Sequence, residues 1–584
     1  MHHQYQTGRR HAAPATLLLA VSLALGAGLA ACGRSSTPSA AAGKPNVLII
    51  LADDLGYSDL GAFGSEIATP NLDRLARDGR LLGNLHTTPL CATSRAELLT
   101  GVDHHLVGVG TMPEMAQFYA SDDDSYKGAL THDAPSVAEL FRDAGYHTYM
   151  AGKWHVGGGG PQQFGFERSF ALEYDKPNGS NFSARAGDAS SYVPYYEDGQ
   201  LVDVPDDFYS SDYFVDKIIE YVDARRSDGR PFLAYLAFQA THFPLQAPDA
   251  YLDRYKGRYD AGYAAIRDAR IQKQKDLGLI AQDFQPNPGD EAVMLRFGSP
   301  GVLLNQPWET LLPQDQQSEA RIMEVFAAML TNLDDNIGRL IAHLKQTGEY
   351  DNTVIVFLSD NGADGTGTSP ASDASTGSDI DNSLANYGRP GSYLYRSTRW
   401  GEVGSAPLRL FKAFTSEGGI GVPAIIRLPG GSAGAQPVSA WASVRDVVPT
   451  VLDAAGIQEP GMQYQGRIVA PLEGYSLLPV LKGQRGEVRD ANTVLADEVN
   501  DIRTVRRGPW KLTRFVNYLV PPANLLLNHD WQLYDMSSDR GETSNVAADH
   551  PDIVAELQDE WRAYVARVGV LQPSFPPIVT PIDE

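Results

Sequence analysis

The sequence predicts an α/β protein: a large mixed, mainly parallel sheet sandwiched by helices, followed by a smaller C-terminal α+β domain. Three observations predict it. Short continuous apolar runs recur along most of the chain, the mark of strands buried on both faces. Helical patterns with recognisable start and stop residues fall between them. Past about Gly483 this alternation gives way to strands of another sheet and a closing helix. A chain of 584 residues also exceeds one ordinary domain.

The elements follow in order. Arg9 and Arg10 precede an apolar stretch from Leu17 to Ala31, which has the length of a signal-peptide core and is short for a membrane span. It ends Leu29-Ala30-Ala31-Cys32-Gly33, which resembles a bacterial lipobox, where the cysteine after the small residues carries lipid. Residues 1–32 are therefore expected to be a lipoprotein signal peptide with lipidation at Cys32. The expected location is the bacterial cell envelope, periplasmic, with membrane contact only through that lipid. Gly33 to Lys44 is small and polar and reads as a linker. The main domain is expected over residues 45–483 and the C-terminal one over 484–584.

Within the main domain Asn46–Leu51 (NVLIIL) reads as a buried strand, and Thr69-Pro70 opens a helix that Gly79 closes. Pro135–Asp143 is a helix stopped by Gly145, and Tyr146–Ala151 a strand. Phe232–Phe238 is a strand, Ile322–Lys345 a long helix, Val354–Leu358 and Pro423–Leu428 two more strands, and Asp446–Ala455 a helix ending at Gly456. Tyr251–Gly278 is charged and helical and reads as an insertion over the surface. Gly362–Asn386 is a long Ser-, Gly- and Asp-rich loop that reads either as disordered or, because it follows Asp360-Asn361, as a wall of a site. Ala491–Val499 and Thr504–Phe515 read as strands, and Pro551–Val568 as the closing amphipathic helix. No internal repeat is evident.

A net charge of -24 excludes a nucleic-acid partner, because binding phosphates needs a basic surface. It suits a chain that commits carboxylates to a cation. Only two cysteines are present; with Cys32 lipidated, Cys91 is left alone, and an unpaired thiol in an oxidising compartment invites a special use.

In parallel α/β sheets, ligands bind outside the carboxyl ends of the strands. Asp53-Asp54 follows the first strand, Lys153 and His155 the one ending near Ala151, His242 the run FLAYLAF, and Asp360-Asn361 the run VIVFL. Singly, each has a bland reading as turn, cap or hydrogen-bonded structural residue; together they place chemistry on one edge. Asp53, Asp54, Asp360 and Asn361 are four hard oxygen donors, a set suited to Ca2+ or Mg2+ rather than zinc. Cys91 opens Cys91-Ala92-Thr93-Ser94-Arg95-Ala96-Glu97-Leu98-Leu99-Thr100-Gly101, with a helix expected from Ser94, so that Cys91 lies by a helix N-terminus with Arg95 one turn on.

That segment resembles the signature of the sulfatase family, in which Cys is oxidised to formylglycine. Gly145 to Gly157 (GYHTYMAGKWHVG) resembles a second family signature. Pro45-Asn46-Val47 through Gly56, Leu358 to Gly362, and Trp531 to Asp535 with Gly541-Glu542-Thr543 are similar to the family as well. His242 to Pro248 and the insertion around Tyr255 to Ile280 resemble the bacterial arylsulfatase branch. The resemblance implies an alkaline-phosphatase-like fold, one Ca2+ ion on Asp53, Asp54, Asp360 and Asn361, and hydrolysis of aryl sulfate to phenol and sulfate by the hydrate of a formylglycine made from Cys91. It also implies a formylglycine-generating enzyme as maturation partner and a small sulfate ester as substrate. Arg95 and Lys153 would hold the nucleophile, with Asp360 accepting its proton. His242 and Lys412 would contact the sulfate and assist the leaving group, and His155 would take the proton that releases sulfate. Arg409 lies close to Lys412 and competes for its part, and His105 would support the site from behind.

The sequence departs from the family pattern at Thr93, where the family has Pro and where the maturation enzymes read the chain. Two other readings stand beside the leading one. One is a phosphonate monoester or phosphodiester hydrolase on the same scaffold. The other is a lipoprotein that keeps Cys91 as a thiol and only binds anions.

Overall fold

The computed structural model describes residues 43–119, 124–176, 179–183, 193–289, 306–365, 380–431, 436–515 and 530–571. The signal segment with Cys32, the linker up to residue 42 and much of the Gly362–Asn386 loop lie outside the described residues. No helix among the described residues is long and apolar enough to cross a membrane.

Among the described residues ten strands form the main sheet: β1 (Asn46–Ala52), β2 (Arg80–His86), β3 (His147–Gly152), β4 (Arg168–Leu172), β5 (Tyr195–Glu197), β6 (Gln200–Val202), β7 (Phe232–Ala237), β8 (Thr353–Ser359), β9 (Gly421–Arg427) and β10 (Ala442–Ser443). Their spatial order is β10-β2-β9-β8-β1-β7-β3-β4-β5-β6. The centre is parallel: β1 lies between β8 and β7, and β7 pairs with β3. All seven residues of β1 and of β8 are buried, as their unbroken apolar runs require. The sheet is mixed because β9 runs antiparallel to both β8 and β2, and β5 and β6 close the far edge as a short antiparallel hairpin.

Helices cover both faces. On one side Pro70–Asp78, Ser210–Arg225 and Pro313–Gln346 bury Leu72, Leu75, Phe214, Ile218, Leu330 and Leu333 against alternate strand residues such as Leu48 and Ile50. On the other, Cys91–Thr100, Val137–Asp143 and Val447–Ala455 pack Leu98, Phe141 and Val451 against Val47, Ile49 and Leu51. The signals that bound these helices are physical ones. Pro70 stands where the first-turn amide has no partner to lose. Ser136 and Glu139 form a reciprocal capping box, and Gly456 takes the left-handed conformation that ends its helix.

The helical segment read as a surface insertion is anchored inward. Gly262–Asp276 buries Tyr263, Ile266, Arg270 and Gln274, and Arg270 pairs with Asp59 and Glu66 beneath it. The cause is the Arg270 guanidinium, whose fork of donors finds two buried carboxylates. A hairpin, β11 (Gln463–Tyr464) with β12 (Arg467–Ile468), leads to an antiparallel C-terminal sheet. Its strands are β13 (Val494–Val499), β14 (Ile502–Arg507), β15 (Trp510–Arg514) and β16 (Gln532–Asp535), covered by helix Pro551–Val568. This sheet is tied to the main one by buried polar contacts: Lys511 pairs with Glu417 at 2.9 Å, and His86 Nε2 meets Glu417 Oε2 at 2.8 Å.

Candidate active site

The carboxyl ends of β1, β3, β7 and β8 deliver the polar residues expected there. Asp53 and Asp54 follow β1, Lys153 and His155 follow β3, His242 follows β7, and Asp360 and Asn361 follow β8. Gly152 makes the exit from β3 possible: it has φ 120°, and a Cβ there would lie 1.8 Å from the Ala237 carbonyl. Four non-glycine residues of the site region, Asp54, His155, Leu410 and Ala413, also have positive φ. Such backbone is held only where surrounding packing fixes it, and it gathers at functional sites.

Cys91 is the first residue of helix Cys91–Thr100, three residues earlier than the expected start, with Leu90 as its N-cap. The first turn is fastened by hydroxyls: the Thr88 amide donates to Ser94 Oγ at 3.0 Å, Thr93 Oγ1 donates to the Leu90 carbonyl, and Thr88 and Thr93 pair through their hydroxyls. Thr93 thus adds a bond that a proline could not make. Burial pushes the Cys91 thiol up to about 12, despite the opposing pull of Lys153 and Lys412.

Around Cys91 three carboxylates meet three cations. Asp53 Oδ2 accepts from Lys153 Nζ at 2.6 Å. Asp360 Oδ2 accepts from Arg95 Nε and Nη2 at 2.9 and 2.7 Å. Asp54 Oδ2 accepts from Lys412 Nζ at 2.8 Å. Arg409, the rival of Lys412, turns away to Gln532 and the Tyr534 hydroxyl on the C-terminal sheet. Ligand atoms of Asp53, Asp54, Cys91 and His242 all lie within 4.8 Å of one another. Asn361 Nδ2 donates to Asp54 Oδ1 at 2.7 Å, and the Asp54 amide donates to Asp360 Oδ1.

This donor set fits a hard divalent cation. Asp53 Oδ1 and Asn361 Oδ1 are buried without a hydrogen-bond partner among the described residues, and such oxygens are costly to leave unpaired. Burial, with the charge of Asp360 adding, also pushes the Asp53 carboxyl up to about 8 against the pull of Lys153 and Arg95. A cation would relieve both.

The two imidazoles differ. His242 Nδ1 bonds the Phe243 carbonyl at 2.8 Å, so Nε2 is the nitrogen turned toward Asp54, 3.5 Å from Oδ2. Burial, then Lys412 and Lys153, hold His242 well below its ordinary value. His155 Nε2 meets Glu114 Oε2 at 3.2 Å, a partner no sequence pattern singled out. His105 lies outside this group, in a buried network with Asp103, Tyr126 and Glu498 that joins the loop after helix Cys91–Thr100 to β13; these carboxylates hold it up at about 9 against burial.

The pairing of Arg95 carries a stability prediction. Arg95 is fully buried, and among the described residues its charge is met chiefly by Asp360 at 2.7 Å and Asp53 at 3.6 Å, with the Lys153 carbonyl and the Tyr235 hydroxyl beside it. Asp360→Ala is expected to lower unfolding free energy by about 3–5 kcal/mol, because it strands that guanidinium. Urea denaturation reads the loss; a change below about 1 kcal/mol would show that Arg95 is held by other partners.

A sheet edge bearing buried carboxylates, cations and imidazoles around one buried cysteine defines a hydrolase of the helix-covered α/β class. The chain belongs to the sulfatase family. The Sulfatase family model matches residues 45–457. An uncharacterized sulfatase of Schizosaccharomyces pombe is 38% identical over 546 residues, covering 90% of this chain and 94% of that protein. The arylsulfatase of Klebsiella aerogenes is 37% identical over 458 residues, covering 76% of this chain and 95% of that enzyme. The fold is shared with Ps i-CgsB solved with k-i-k-neocarrahexaose, at TM-score 0.61 and 21% identity over 89% of this chain and 92% of that one. It is shared also with a chain solved with its substrate D-glucosamine-2-N,6-O-disulfate, at TM-score 0.55 and 22% identity over 91% and 99%.

Proposed function

We propose that the chain hydrolyses sulfate esters of aromatic alcohols, using formylglycine at position 91 and one Ca2+ ion on Asp53, Asp54, Asp360 and Asn361. The observation that carries this reading is the gathering of Asp53, Asp54 and the His242 imidazole at one buried cysteine, with Asn361, Lys153 and Lys412 bound to those carboxylates and Asp360, paired with Arg95, on the Asp54 amide. When bound, the cation would supply Lewis-acid polarisation of a sulfate oxygen. The hydrated aldehyde would supply a hydroxyl to attack sulfur and a second one whose ionisation frees sulfate. The remaining work falls to fixed side chains. Arg95 and Lys153 hold the carboxylates in register and balance their charge. Lys412 Nζ and His242 Nε2 both lie beside Asp54, and from there they would contact the sulfate and the departing oxygen.

An aromatic wall supports the aryl preference. Phe243 lies 4.1 Å from the His242 ring, centroid to centroid, and 4.4 Å from Tyr395; Tyr393 lies 5.4 Å from Tyr395, and Lys412 Nζ lies 6.0 Å from the Phe243 centroid. The Leu245 amide pins the strip carrying the two tyrosines by donating to the Leu394 carbonyl. A planar leaving group beside His242 would stack on such a surface.

The test is turnover of an aryl sulfate, an alkyl sulfate and an aryl phosphonate monoester by one preparation. The aryl sulfate is expected to be hydrolysed with the highest kcat/KM, and Phe243→Ala to raise its KM about fivefold, the equivalent of ~1 kcal/mol of lost ring contact. A large preference for the phosphonate would sink the sulfate reading.

The reading also includes export as a periplasmic lipoprotein held through Cys32, supported by the apolar stretch from Leu17 to Ala31 and the small residues before Cys32. A formylglycine-generating enzyme is the partner this maturation requires.

A further inference from the structure

Resting on the sulfatase reading, we propose that Glu114 is a positioning residue for proton transfer through His155: it holds the ring by Nε2 and leaves Nδ1 as the proton acceptor when sulfate is released. Glu114 lies in a short 3-10 helix, Pro113–Phe118, far in sequence from every strand end that builds the site. Its Oε2 meets His155 Nε2 at 3.2 Å. The other ring nitrogen, Nδ1, is buried with no hydrogen-bond partner among the described residues.

That division of labour is what a base needs. A carboxylate on one ring nitrogen fixes the tautomer with the proton on Nε2 and presents the lone pair on Nδ1. It also stabilises the imidazolium that forms when Nδ1 takes a proton. Three charged groups face this ring: Glu114 from its own loop, Lys153 two residues earlier, and Arg95 from the nucleophile helix. Burial holds His155 down at about 4, Glu114 opposes that, and Lys153 and Arg95 add to it. Among these three neighbours Glu114 alone raises the ring's basicity. In the release step His155 Nδ1 accepts the proton of the hydroxyl that remains on residue 91. The carbon–oxygen bond to sulfate breaks as the carbonyl forms, sulfate leaves with the bonding pair, and the proton passes from the ring to solvent.

Glu114 is open to mutation without collapse of the fold, since 37% of its side chain is exposed. The experiment follows the His155 ring by 15N NMR, assigned by difference against His155→Asn, in the full chain and in Glu114→Gln, Glu114→Ala and Glu114→Asp. In the unsubstituted chain the proton is expected on Nε2. Glu114→Gln should lower the His155 titration midpoint, and Glu114→Ala should also remove the tautomer preference. In steady state Glu114→Gln should reduce kcat roughly 10- to 100-fold. It should leave kcat/KM within about threefold, because the loss falls on sulfate release, after the ester bond is cut. The acid limb of kcat should move to lower pH, in step with the weaker base, and Glu114→Asp should recover part of the loss. An unchanged titration midpoint, or kcat within about twofold of the unsubstituted chain, overturns the proposal. If the unsubstituted chain fails to turn over any sulfate ester, it is the sulfatase reading that falls, and the ring titration still reports on the Glu114–His155 pair.

Discussion

Cys91→Ala is expected to abolish sulfate ester turnover, a loss of about 10⁴-fold or more, while the protein stays folded. The two halves of that expectation have separate causes. The side chain is nearly inaccessible, at 1% exposure, and its thiol, pushed up to about 12, carries no charge at neutral pH. Removing it strands no ion and opens a void of one atom, at a cost of about 1 kcal/mol. Activity is another matter, because Lys153, Lys412, the three carboxylates and His242 are each already held in an ion pair or hydrogen bond within the cluster. The same raised value says that an unconverted thiol is a poor nucleophile, since the thiolate is the reactive form. Mass measurement of the peptide containing Cys91, from protein made in its native host, is therefore expected to show an aldehyde. An intact thiol in active protein would refute the formylglycine assignment, and substantial turnover by Cys91→Ala would refute the nucleophile itself.

Thorough chelation is expected to lower kcat/KM by about 10³-fold, several kcal/mol, with Ca2+ restoring activity better than Zn2+. The electrostatics explain why the effect should reach binding as well as chemistry. Asp53, Asp54 and Asp360 are matched by Lys153, Lys412 and Arg95, so the cluster by itself is close to neutral. A divalent ion makes it positive, and only then does it attract a sulfate ester anion strongly. KM should rise on chelation as kcat falls. Ca2+ should also raise the melting temperature in proportion to its occupancy of the folded state. Rates unchanged after complete metal removal would count against the oxygen-ligand site.

Much of this was legible in the sequence for identifiable reasons. NVLIIL, FLAYLAF and VIVFL are strands buried on both faces, so their apolar runs are unbroken, and the residues just beyond them gather into the candidate site. β2 was not legible: RLLGNLH mixes Arg, Gly and Asn, and its pairing to β9 contains a register shift near Leu82 and Leu85. β5 and β6 have three residues each, too few to show a period. The choice between Lys412 and Arg409 needs geometry, since both follow the same apolar segment and only one reaches Asp54. Glu114 had no signal at all: a carboxylate in a Met- and Gln-containing turn is ordinary until a histidine from another strand end arrives beside it. The buried face of Gly262–Asp276 was hidden in the same way, because Arg270 and Gln274 read as solvent-facing until Asp59 and the Phe63 carbonyl are placed under them.

The depth of Cys91 sets a deadline. The helix it begins is closed in by strands and loops from the whole length of the chain, including Glu417, which needs Lys511 from the last sheet, and the His105 network, which needs Glu498. With its side chain 1% exposed in the folded chain, Cys91 would be closed to a modifying enzyme once those late segments have docked. If Cys91 is converted as proposed, maturation and folding would compete for one residue, and the yield of active protein should depend on how quickly the modifying enzyme acts relative to the docking of the C-terminal strands.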